Sequence, residues 1–173
     1  LQASGIVCAA CHLRERRVFA PPKRKTEEAK AGTDSPHGGA TRVGWFHDSS
    51  FCQACHQSPA ETAVNGKPLM NTYAEWQVSA YAREGTQCQD CHMPGRAHLW
   101  RGIHDPEMVK SGLTAKADSE LEGARFTITN TGVGHAFPTY VTATIVMRGS
   151  VLDEKGEPRP ETAALHAIQR EVD

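Results

Sequence analysis

"CQDCHMPGRAHLWRGIH" (residues 88–104) sets two cysteines three positions apart, a histidine directly behind the second, and two more histidines within the next twelve residues. The same five-residue pattern stands at 8–12 as CAACH and at 52–56 as CQACH. All six cysteines of the chain therefore fall in three pentads: Cys8 and Cys11, Cys52 and Cys55, Cys88 and Cys91. With 6 Cys and 9 His in 173 residues, chance spacing yields on the order of 0.01 such pentads. No thiol is left over for a disulfide or a lone nucleophile.

Three chemistries use a C-x-x-C pair. Zinc ribbons do, but they have no need of a histidine after every second cysteine. A thioredoxin-like dithiol uses one motif beside a βαβ pattern, which this chain lacks. Covalent haem c accounts for all five positions. Two thiols three residues apart add to the two vinyl groups on one porphyrin edge, and the next residue lies under the iron as an imidazole ligand. The expectation is three covalently attached haem c groups, with His12, His56 and His92 as the proximal ligands.

The composition agrees with a chain that folds around cofactors. Only 39% of residues are apolar and 6% aromatic, which is thin for a core made of side chains alone. The net charge of −1 gives no case for nucleic acid, and three ferric haems with their propionates would bring it to about −4. The basic stretch at 14–30 reads as a solvated loop, with a docking patch for an acidic partner as the alternative. No run of eighteen apolar residues occurs, so no membrane span is expected in this chain. Haem c is attached outside the cytoplasm, which places the protein in the periplasm or the extracellular space. The opening "LQASGIVC" carries no leader, and the expectation is a piece of a longer polypeptide, incomplete also at its C-terminus.

Along the chain, residues 1–117 read as helices and irregular loops around haems, and 118–173 as a small antiparallel, sandwich-like β-module. The clearest helix is 72–84, with Thr72 and Glu75 as a capping box and Tyr73, Trp76, Ala80 and Tyr81 along one face. Asp105-Pro106 starts a short helix that ends near Gly112. From about 118 the period changes to two: Ala124, Phe126 and Ile128 alternate with polar residues, then Val141, Ala143, Ile145, Met147 and Val151. The last stretch is ambiguous, with Leu165, Ile168 and Val172 at weakly helical spacing.

Six histidines remain as candidate sixth ligands: His37, His47, His98, His104, His135 and His166. Three irons need three of them, with Met70 and Met108 as thioether alternatives. His104 sits in "GIHD" beside a helix start. His135 sits in "GVGHAFPTY", a glycine- and proline-fixed loop that makes a stiff mount. His37 follows Ser-Pro, and His98 is a fourth candidate. His47 and His166 are the least constrained.

"DCHMP", "HLWRGIHD" and above all "NTGVGHAFPT" resemble the multihaem c-type cytochrome superfamily that includes hydroxylamine oxidoreductase and pentahaem nitrite reductase. The chain is most similar to small electron-transfer members with a β-sandwich after the haem region. The resemblance covers the stretch from "CAACH" to "VTATIVMRGSVLDEKGE" and implies His135 as a ligand from the GH-x-x-P-T loop. His37, ahead of the second pentad, and His104, after the third, are implied likewise. The family's glycine after Pro-Thr is Tyr140 here.

The expected function is electron carriage between a donor and an acceptor protein through closely spaced, mainly bis-histidine haems. A domain of this length has a radius of gyration of about 16 Å, which keeps three haems near one another. Two rivals stand beside it. One is a redox enzyme acting on a small nitrogen or sulfur compound at a five-coordinate haem, which the histidine surplus disfavours. The other is a protomer of a haem-stacked filament or respiratory complex. No catalytic residue is assigned.

Overall fold

A computed structural model describes residues 6–25, 38–120 and 123–173. His37 lies outside the described residues. The chain divides into two compact units, Leu1–Phe51 and Cys52–Asp173. The division falls between Phe51 and Cys52, so the large β-hairpins share a unit with the second and third pentads.

In the first unit the pentad helix α1 (Cys8–His12) runs straight into a hairpin, β1 (Leu13–Arg14) and β2 (Arg17–Ala20). Leu13 pairs with Val18 and Arg14 with Arg17, which leaves Glu15 and Arg16 as a two-residue turn. Both have positive φ, 48° and 62°, as the twist of a tight hairpin demands. β3 (Thr41–Arg42) adds to β2 in parallel. The short sequence span gave no period-two signal for this sheet, and its strands are held by a cluster of rings. Trp45 stacks on Phe46 at 4.5 Å, and Phe51 lies 5.0 Å from Trp45 and 4.9 Å from Phe46. Phe19 of β2 joins at 5.8 Å from Trp45.

The second unit starts within α2 (Ser50–His56), the second pentad helix. Next come α3 (Thr72–Gln77) and α4 (Ala80–Arg83), where one helix over 72–84 was expected. The break at Val78–Ser79 has a local cause. Ser79 leaves the helix and caps α4, its hydroxyl accepting from Ala82 N–H, and serine side chains compete with helix bonding in this way. The expected capping box does not form either: Asn71 is the N-cap residue and makes no side-chain cap. The third pentad is α5 (Cys88–His92), opened by a box between Gln87 and Asp90. α6 (Pro106–Gly112) begins at the Asp105-Pro106 start, with Asp105 accepting from Glu107 and Met108 N–H.

Besides the small sheet at 13–42, where helices and loops alone were expected, the strands of the expected β-module begin at Leu113, five residues before 118, because β4 (Leu113–Glu120) pairs along its whole length with β5 (Gly123–Asn130). β6 (Thr144–Gly149) pairs antiparallel with β7 (Ala164–Gln169). The helical spacing of Leu165 and Ile168 is overridden by the edge that β6 offers, where Ile168 lies opposite Ile145, as strand formation depends on context more than propensity. Phe126 of β5 covers Gly149, where an added Cβ would lie 2.7 Å from the ring.

The segment 131–141 joins these strands to the helices. Gly132 approaches Ser111 O so closely that a Cβ would lie at 2.7 Å, and Gly134 lies against Tyr81. Asn71 N–H donates to Thr139 O and Val141 N–H to Leu69 O. Apart from Pro138, Ala143 (8% exposed) is the only apolar side chain buried among the described residues. No helix among them is long and apolar enough to cross a membrane.

Candidate metal centres

Each pentad is one turn of helix, so its two thiols and its imidazole stand at i, i+3 and i+4 and share a face. None of the six cysteines is in a disulfide. Burial pushes the Cys91 thiol up, with Asp90 and Cys88 adding to the shift. Among the described residues no three His, Cys, Asp or Glu side chains converge on one point, whereas a structural zinc is held by four such ligands.

The imidazoles are oriented by backbone carbonyls. His12 Nδ1 lies 2.8 Å from Phe19 O, in the hairpin that follows the first pentad. His92 Nδ1 bonds Arg101 O. His135 Nδ1 lies 2.8 Å from Ala136 O. A carbonyl can only accept, so each ring is a donor at Nδ1, and in the neutral ring Nε2 carries the lone pair with which imidazole binds a metal. Phe46 stacks on the His12 ring at 5.0 Å and 22°. The carbonyl that holds His92 is itself fixed: the Arg101 guanidinium pairs with Asp105. Arg101, with the N–H groups of Met108 and Glu107, holds the Asp105 carboxyl down at about 2.

Two of these histidines lie close together with near-parallel rings. The ring centres of His92 and His135 are 6.4 Å apart and the planes differ by 15°. Two imidazoles bound through Nε2 on opposite sides of one metal would have ring centres about 6.2 Å apart, from metal–imidazole bonds of about 2.0 Å and about 1.1 Å from each nitrogen to its ring centre. Burial lowers the His135 pKa; the Ala136 carbonyl opposes that shift and His92 adds to it. Burial likewise lowers the His56 pKa, with His92 adding to it. Both effects favour the neutral imidazole, the form that ligates. His56 and His135 thus both sense the charge of His92 within one unit.

The elements that carry these groups are pinned together. After the second pentad, Gln57 donates to Asn71 Oδ1 (3.0 Å) and accepts from Ala74 N–H (3.1 Å). Ahead of the third, Trp76 Nε1 donates to Thr86 O (3.0 Å). In the His135 loop, Tyr81 donates to Gly132 O, Asn130 Nδ2 to His135 O, and Val133 N–H to Asn130 Oδ1.

The other candidates stand on other elements. His104 is exposed on the turn 102–105 and makes no ring pairing with a pentad histidine among the described residues. His98 sits edge-on to Trp100 at 6.2 Å. His47 ends the turn Gly44–His47, and His166 is exposed on β7 opposite Met147. Met70 bridges Tyr140, and Met108 lies in α6.

Residue type did not reveal Phe19 and Arg101, because the backbone oxygen acts in both. Glu75 was also missed in its actual place: its carboxylate accepts the Ala136 N–H, next to His135, instead of capping a helix. Comparison with family models, characterised proteins and solved structures gave no match.

Proposed function

We propose that the chain is a trihaem c-type cytochrome that carries electrons between redox partners outside the cytoplasm. The observation that supports this reading is the close pair of His92 and His135, with ring centres 6.4 Å apart and planes 15° apart, where His92 ends a C-x-x-C-H turn. The thiols of Cys8 and Cys11, Cys52 and Cys55, and Cys88 and Cys91 would hold the three haems, with His12, His56 and His92 below the irons. His135 completes the third site, and His37 and His104 are the further sixth-ligand candidates. Haem, when bound, supplies a one-electron ferric/ferrous couple.

The chain's own residues favour transfer over turnover. Two imidazoles on one metal leave no position for a substrate. Carbonyl-anchored rings hold their orientation when the charge at the metal changes, which keeps the reorganisation cost of transfer small. Imidazole on both sides, without thioether, sets a potential below that of a His/Met site. The partners are a donor and an acceptor protein; self-assembly into a filament or a larger complex is the variant of the same role.

The test is to reduce the holoprotein fully and offer CO, nitrite and hydroxylamine separately. Slow or absent reaction with all three, beside fast oxidation by a soluble acceptor cytochrome, is expected. Rapid CO binding to one haem per chain with turnover of either nitrogen compound would instead assign a redox enzyme.

A further inference from the structure

We propose that Glu75 is the positioning residue for His135, holding its loop so that the imidazole stays beside His92; this rests on the trihaem reading above. Glu75 is on α3, and its side chain is only 17% exposed, as is that of its partner Arg170 just past β7. Arg170 Nη1 donates to Glu75 Oε1 at 2.7 Å, and Arg170 Nε donates to Pro68 O at 2.9 Å. Asn71 Nδ2 reaches the same Oε1 at 3.4 Å. The other oxygen, Oε2, is thereby turned toward the His135 loop. It accepts the Ala136 N–H at 3.0 Å and the hydroxyl of the buried Thr139 at 2.6 Å.

Residue Ala136 is gripped on both sides. Its N–H goes to the carboxylate and its carbonyl takes the His135 Nδ1–H. A run of hydrogen bonds therefore leads from the Arg170 guanidinium, through Glu75 and Ala136, to the imidazole. Moving the carboxylate moves the residue that fixes the ring, and with it the direction of Nε2 and the angle between the two imidazole planes. A buried ion pair adds little net stability compared with apolar side chains of the same size. Its value here is that a carboxylate offers two acceptor atoms in a fixed plane, one for the anchor and one for the loop.

Replacement by glutamine separates placement from bulk. Glu75→Gln keeps the shape but turns one acceptor into a donor, which then meets either Arg170 or the Ala136 N–H and Thr139 hydroxyl. Thr139→Val removes one arm of the grip, and Thr139→Ser keeps the hydroxyl. Haem content is counted first, by pyridine haemochrome, and three per chain in the wild type tests the trihaem reading separately. The readouts for the inference are low-temperature EPR of the oxidised protein and CO binding of the reduced protein.

Glu75→Gln is expected to keep three haems while raising the high-spin, CO-reactive fraction of one of them by about tenfold, as loss of a buried charged acceptor implies. Thr139→Val should shift the same signal less, and Thr139→Ser should restore it. Wild-type EPR and CO behaviour in Glu75→Gln would overturn the inference. If Glu75→Gln does not accumulate with three haems, Thr139→Val decides: an altered signal supports the inference and a wild-type one overturns it.

Discussion

Made where haem cannot be attached, the chain is expected to stay largely unfolded, with a coil-like far-UV circular dichroism spectrum and no cooperative transition on heating. The reason is the shortage of apolar burial. Large side chains such as Val78 (75% exposed), Leu165 (64%) and Ile6 (62%) stand open to solvent. Hydrophobic burial is the term that must balance chain entropy, and here side chains supply little of it to one another. The two faces of each porphyrin are the natural apolar partners. A covalently bound group that only the folded chain can enclose then stabilises the native state as any ligand does. A haem-free chain that melts cooperatively with native-like helix and strand signals would contradict this.

Replacing His135 by alanine is expected to turn one of three low-spin haems high-spin and to let that haem bind CO when reduced. His135 is the ring paired with His92, at 6.4 Å between centres. Deleting the imidazole leaves the opposite face of the metal to water or CO. The near-parallel planes, 15° apart, add a spectroscopic expectation. Parallel imidazoles split the iron d orbitals and give a rhombic low-spin signal, and this signal should be the one that disappears. An unchanged spectrum in His135→Ala would transfer the ligand role to His98.

The pentads were legible because their chemistry is local: five consecutive residues carry both thiols and the imidazole, and one helical turn puts them on a face. The α6 start at Asp105-Pro106 was legible for the same reason, since a cap and a fixed φ act within one turn. His135 was picked out by its rigid glycine- and proline-flanked loop, but its pairing with His92 was not, because 43 residues separate them and only the packing of Gly132 and Gly134 closes the gap. The break at Ser79 and the strand at 164–169 depend on partners distant in sequence or on a side chain that can serve two roles. Glu75 shows the same limit. Its spacing from Thr72 fits a cap, while the structure employs it against Ala136, Thr139 and Arg170.

The central claim is that this chain holds three covalent haems. The most direct measurement is the intact mass of the protein produced with its haem-attachment machinery, combined with acid–acetone extraction. The account predicts a mass equal to the polypeptide plus three haems, none of it extractable, with attachment at Cys8/Cys11, Cys52/Cys55 and Cys88/Cys91. A mass equal to the bare polypeptide, or a gain matching zinc alone, would contradict it.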